Sequence, residues 1–168
     1  MGSTIGVYSV MHHDTTGPRG RWCLRRRVLP QHTDHAGVMW HGAYVAWLEE
    51  ARVEALASVG LAYSDLSARG LELPVIALAI DYRQALLHGD VVDLWSEVLP
   101  RQGVRLAWIS RFVGAAGVLA AEARVELVLV DLSGGAARRR LVRTLPEDLQ
   151  RAVAALVEGG GSLQAKSP

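Results

Sequence analysis

The sequence predicts an α+β fold in which one antiparallel sheet has a single long helix to cover it, and three observations carry that prediction. A strand-like segment comes first; a mostly apolar stretch from about Gly42 to Gly60 follows at helical spacing; and after Gly70 the chain breaks into β-textured segments separated by short Gly-containing turns. The first strand is WCLRRRVL, residues 22–29, β-permissive and stopped by Pro30. In the helix, Tyr44, Trp47, Leu48, Ala51 and Ala55 recur on one side and are joined by Val45, Leu56 and Val59. Only Glu49, Glu50, Arg52 and Glu54 supply strong polarity, so the helix is expected to be mostly enclosed, with Gly60 as its stop. Residues 64–69 fit one more short helical turn.

After Gly70, LPVIALAIDYRQ at 73–84 is an apolar run with β-branched residues, and HGD at 88–90 turns it toward VVDLWSEVL at 91–99. In VRLAWISRFV at 104–113, Arg105, Ala107, Ile109 and Arg111 share one face while Val104, Leu106, Trp108 and Phe112 share the other. GAAG at 114–117 reads as the hairpin turn to VLAAEARVELVLV at 118–130, where Glu122, Arg124 and Glu126 alternate with Ala123, Val125 and Leu127. SGG at 133–135 turns again into a final polar strand, ARRRLVRT at 137–144. Thr144 with Glu147 three residues on is a capping-box pair, Pro146 falls near the first turn, and Leu149, Val153, Leu156 and Val157 make the stripe of a short terminal helix ending at Gly159.

A chain of 168 residues, 50% hydrophobic, is one ordinary domain able to bury a sizeable core. That domain is expected over 21–158, between a polar, mobile tail at 1–20 and a flexible Gly-rich tail at 159–168. Lys plus Arg number 18 against 17 Asp plus Glu, so no overall field draws in nucleic acid or an acidic membrane surface. The single cysteine, Cys23, forms no internal disulfide, no apolar run is long enough to span a bilayer, and the N-terminus lacks the pattern of a secretion signal. A cytoplasmic protein is the expectation.

The loop HTDHAGVMWH, residues 32–41, concentrates the chemistry. His32, Asp34, His35 and His41 are metal-capable, but no HExxH helix or Cys pair accompanies them, and no metal is assigned. Asp34 and His41 also suit plain turn and helix capping. A third reading is hydrolysis at a carbonyl. The first turn of a helix beginning near His41 exposes unpaired N–H groups and a partial positive charge, which stabilise an oxygen becoming negative. Asp34, on a loop that Gly37 lets fold back, then serves as nucleophile or general base, and His41 orients the carbonyl or water. No GxSxG elbow exists and Cys23 has no evident base, which argues against an acyl-enzyme on serine or cysteine.

The string TDHAGVMWHGAYVAWLEEAR, residues 33–52, resembles the signature of hotdog-fold acyl-CoA thioesterases of the 4-hydroxybenzoyl-CoA thioesterase type, and the likeness in element order extends over roughly residues 22–144. The resemblance implies a hotdog fold, an antiparallel sheet of about five to six strands wrapped around one long central helix, with a short C-terminal helix. It implies acyl-CoA hydrolysis without a cofactor, Asp34 as the catalytic carboxylate, backbone N–H near His41 polarising the thioester oxygen, and His41 beside them. Substrate contacts are implied at Gly37, Trp40, Gly42, Tyr44 and Glu49. Glu49 stands where the hydroxybenzoyl enzyme carries the acid that meets the distal ring hydroxyl; a surface pair with Arg52 is the other reading. Arg101 is the candidate for the CoA phosphates. His88 and Asp90 are expected to shape their turn. The family pairs subunits with sites at their interface, so a homodimer or homotetramer is expected. Two alternatives stand beside this one: hydrolysis of thioesters on acyl carrier protein, and a hotdog module that binds acyl-CoA without cleaving it.

Overall fold

The computed structural model describes residues 21–159. In chain order they form β1 (Arg21–Arg27), a 3-10 turn (Pro30–His32), α1 (His41–Ser58), α2 (Tyr63–Ala68), β2 (Leu71–Glu72), β3 (Val75–Tyr82), β4 (Val91–Val98), β5 (Arg105–Val113), β6 (Leu119–Val128), β7 (Val130–Asp131), β8 (Arg140–Leu141) and α3 (Glu147–Glu158). Five strands make one antiparallel sheet in the order β1-β4-β5-β6-β3. This is the α+β hotdog arrangement, a long helix held on one face of a curved antiparallel sheet.

Alternation decides which way each strand faces. Trp22 and Leu24 of β1, Val92 and Leu94 of β4, Leu106, Trp108 and Phe112 of β5, and Ala123 and Val125 of β6 are buried. Against them α1 sets Ala43, Tyr44, Trp47, Leu48, Ala51, Ala55 and Leu56, and α3 adds Leu149, Ala152 and Leu156, in one core. The only buried polar side chains among the described residues are Ser96 and Ser110, which face each other across β4 and β5 and bond hydroxyl to hydroxyl at 2.8 Å. The other sheet face carries cross-strand ion pairs, Arg25–Asp93 (2.5 Å), Arg111–Glu97 (2.9 Å), Arg111–Glu122 (2.7 Å) and Arg105–Glu126 (2.6 Å). Being solvated, each contributes little to stability, but they keep that face polar.

Three expectations need correction. The polar segment 137–144 is not a full strand: a 3-10 turn occupies Ala136–Arg138, and only Arg140–Leu141 pair, in a separate small sheet ordered β2-β7-β8. Three consecutive arginines leave no alternating apolar face to bury. The capping box at Thr144 and Glu147 does not form, because Pro146 is itself the N-cap and Glu147 opens the helix, with no side-chain cap bond. Pro146 holds the preceding residue extended, and Glu147 and Asp148 instead place negative charge on the helix's positive end. The run 73–84 yields β3 only from Val75, with a bulge between Val75 and Ala77, and β3 lies at the sheet edge, largely exposed.

Among the described residues no helix is long and apolar enough to cross a membrane. The tails expected at 1–20 and beyond Gly159 lie outside the described residues.

Candidate active site

The loop between β1 and α1 is built by backbone pairing with the turn before β4. Met39 N–H donates to the Leu86 carbonyl (2.8 Å) and His88 N–H to the Gly37 carbonyl (3.0 Å), while Val38 bridges Leu87. Gly37 makes this possible with φ +77, a conformation that side chains disfavour. The HGD turn holds itself: Asp90 Oδ2 accepts the Leu87 N–H at 2.8 Å, and Gly89 N–H reaches the Val28 carbonyl at 2.8 Å. His88 and Asp90 thus shape their turn, as expected.

Within this loop Asp34 is exposed, and one of its oxygens is committed. Oδ1 accepts the N–H groups of Ala36 (2.8 Å) and Val38 (3.2 Å), closing a tight turn; Oδ2 has no hydrogen-bond partner among the described residues. Turn capping and chemistry therefore need not compete, since each uses a different oxygen.

The helix end opposite is equally prepared. The carbonyls four residues before His41 and Gly42 belong to Gly37 and Val38, which already take the His88 and Asp34 N–H groups (3.0 and 2.9 Å). The first two N–H groups of α1 are left pointing out of the helix. Asp34, Val38, Met39, Trp40, His41, Tyr44, Tyr82, Arg83, Gln84 and Ala85 line one open cleft of about 700 Å³ at this end. Tyr44 meets Tyr82 edge-to-face at 5.0 Å between centroids, and Phe112 at 4.9 Å. Burial, reinforced by neighbouring Tyr82, pushes the Tyr44 phenol up to about 12, with a backbone hydrogen bond involving Leu86 acting the other way. Tyr44 is a neutral phenol at physiological pH, a wall rather than a base.

The loop histidines separate. His32 faces inward, edge-on to Trp47 at 5.2 Å, with Nδ1 accepting the Leu29 N–H at 3.1 Å. His41 and His35 are exposed, and only His41 lines the cleft. Cys23 sits on β1, where burial and then Asp93 push its thiol up to about 12, so it is no nucleophile at neutral pH.

Glu49 lies apart. With Arg52, Tyr63, Glu72, Val75 and Arg139 it lines a second cavity of about 360 Å³, at the other end of β3. No hydrogen bond or ion pair joins it to Arg52, which instead donates to the Leu48 carbonyl at 2.9 Å. Arg101 does not line the cleft; its Nη2 donates to the Arg143 carbonyl at 2.6 Å, and its buried Nε has no partner among the described residues. Sequence reasoning missed Tyr82, Arg83 and Gln84 as cleft residues. The available signal was the abrupt polarity of DYRQ closing an apolar run.

Comparison with known proteins matches residues 28–153 to the thioesterase-like superfamily. A putative esterase of Synechocystis is 40% identical over 124 residues, 73% of this chain and 75% of that protein. The acyl-CoA thioester hydrolase YbgC of Escherichia coli is 32% identical over 111 residues, 66% of this chain and 81% of its own length. Among solved structures, a mutant 4-hydroxybenzoyl CoA thioesterase complexed with 4-hydroxybenzoyl CoA superposes with a TM-score of 0.70 at 16% identity, covering 79% of this chain and 99% of that one. The chain, with its long helix opening beside Asp34, belongs to the thioesterase-like superfamily.

Proposed function

We propose that the protein hydrolyses an acyl-CoA thioester to the free acid and CoA. The observation that carries this is that Asp34, with its free Oδ2, and His41, which opens α1 with its N–H unpaired, line one cleft, the unpaired N–H of Gly42 following next in the helix. With the thioester carbonyl oxygen on those amides, either Asp34 attacks the carbonyl carbon directly or it takes a proton from an attacking water. In both routes the C–S bond breaks and CoA leaves as a thiolate, a good leaving group, which is then protonated. Direct attack leaves a mixed anhydride that water hydrolyses. His41 provides a polar neighbour for the carbonyl or water, Gly37 shapes the loop, and Trp40 and Tyr44 form the walls, with Gly42 beneath the Trp40 ring. That YbgC is an acyl-CoA thioester hydrolase, and that the 4-hydroxybenzoyl CoA thioesterase structure holds 4-hydroxybenzoyl CoA, support CoA as the carrier.

The active unit in this reading is at least a homodimer formed by β3. Val75, Ile76, Leu78 and Tyr82 are large apolar side chains left exposed on an unpaired sheet edge, which natural proteins rarely leave open. Val75 borders the Glu49 cavity and Tyr82 borders the cleft. Antiparallel self-pairing of β3 therefore brings the cavity of one chain toward the cleft of its partner, where Glu49 can meet the far end of the acyl group. A hydroxyaryl acyl group suits that acid. Arg101, half-buried ahead of β5, is kept as the phosphate contact that the resemblance implies. With one cysteine and no internal disulfide, a cytoplasmic setting completes the reading.

Free-thiol release from aryl, short-chain and long-chain acyl-CoAs tests the proposal. Release identifies the reaction and ranks the acyl groups; none on any CoA thioester from a folded protein refutes it, and matched carrier-protein thioesters then test the other carrier.

A further inference from the structure

The first turn of α1 holds a steric pairing that binding alone does not explain. At Gly42 an added Cβ would lie 2.7 Å from Cζ2 of Trp40 and closer still to Cζ3 and Cη2 of the same ring. The indole rests directly on the Gly42 backbone, and only a residue without a side chain permits it. The same indole meets the His41 imidazole edge-on, at 5.3 Å between centroids and 72° between planes. Trp40 is 44% exposed, whereas Trp47 in the core is 3% exposed, so the Trp40 ring is not placed there chiefly by burial.

We propose that Trp40 is a positioning residue for the thioester reaction, seated over α1 by the glycine at position 42, where it fixes the His41 imidazole and screens the first-turn N–H groups from bulk water. The inference rests on the thioesterase reading of the cleft. Its physical basis is that donors facing a developing negative charge act more strongly where competing water is excluded. It also accounts for glycine at a helical position where alanine is ordinarily preferred.

The test compares wild type, Gly42→Ala, Trp40→Phe and the double variant, as full chains, on the thioester the wild type cleaves best. Gly42→Ala is expected to hold or raise Tm, since alanine favours helix. It is expected to lower kcat by about tenfold to a hundredfold, the upper figure being the scale of a contact misplaced by about 1 Å, with little change in KM. Because a smaller ring leaves nothing for the new methyl to displace, the double variant should match Trp40→Phe alone. In protein labelled with 5-fluorotryptophan, the fluorine resonance missing from Trp40→Phe should shift in Gly42→Ala. Wild-type kcat in Gly42→Ala, defects that multiply in the double variant, a kcat loss that follows a loss of Tm, or an unmoved resonance each overturns the role of Trp40. A wild type that releases no thiol from any acyl thioester overturns the thioesterase reading itself, a result separate from these.

Discussion

Replacing Asp34 with asparagine separates the two uses of that residue, because its oxygens are used separately. Oδ1 holds the Ala36 and Val38 N–H groups, and the asparagine side-chain oxygen can accept both in its place. The loop should persist, and Tm should stay near the wild-type value. What disappears is the anionic Oδ2, and with it the nucleophile or base. Loss of such a group lowers turnover by at least about a hundredfold, or about 2.7 kcal/mol of transition-state stabilisation. Asp34→Ala removes the turn bonds as well. Two hydrogen bonds at about 0.5–1.5 kcal/mol each, discounted for exposure, predict a loss of about 1 kcal/mol in denaturant unfolding. Thiol release and urea melts on the three proteins give the answer. If Asp34 only caps its turn, Asp34→Asn turns over normally while Asp34→Ala is impaired, and the mechanism is refuted. If it does the chemistry, both variants lose turnover while only alanine loses stability.

Other consequences can be checked as directly. Glu49→Ala should lower kcat/KM for hydroxyaryl-CoA relative to its unsubstituted aryl counterpart by about tenfold, the scale of a lost charged hydrogen bond; an unchanged ratio returns Glu49 to the surface. Leu78→Asp on the exposed face of β3 should yield monomers in sedimentation velocity and lose activity together with dimerisation; a dimer that survives it places the interface elsewhere. Phe112, fully buried against Tyr44, should cost about 3–5 kcal/mol when cut to alanine, read from urea unfolding. Burial raises the Cys23 thiol from 9.0 to about 12, so the folded chain keeps a proton that the unfolded chain releases above pH 9, and stability falls as pH rises from about 9 toward 12. Cys23→Ala should flatten the start of that decline, and an unaltered pH profile would show that the thiol does not titrate as its burial requires.

What the sequence made legible was local, and what it hid depends on distant parts of the chain. The start of α1 was read to within a residue because the apolar arc from Tyr44 to Ala55 and the preceding Gly-containing loop are both set by neighbours in sequence. The alternation of β5 and β6 likewise told inside from outside, down to Phe112 against Arg111. The capping box failed at short range too, because Pro146 outweighed Thr144 in setting where α3 begins. Tyr82, Arg83 and Gln84 reach the cleft only because the HGD turn pairs with the Gly37 loop, a backbone contact that no residue type announces. Glu49 shows the opposite case: motif position grouped it with Asp34, yet the fold sends it to another cavity of the same chain.

β3 explains why that separation and the proposed dimer are one question. VIALAIDY has the composition of a strand covered on both faces, with six apolar residues before its first charge, yet in the single chain it is an exposed edge. Leu78, Ile80 and Tyr82 stand opposite the buried Val125, Ala123 and Ala121 of β6, so they face the α1 side of the sheet, where Val45 is also exposed. Polar ends bracket this apolar stretch, His41 and Asp34 at one and Glu49 and Arg52 at the other. A surface apolar at its centre and unlike at its two ends is self-complementary under a twofold axis through the centre, since each end then meets the other kind. In the proposed dimer a second copy of the chain would cover the apolar face of β3, and the same operation would supply the cleft with the acid that a single chain keeps out of reach.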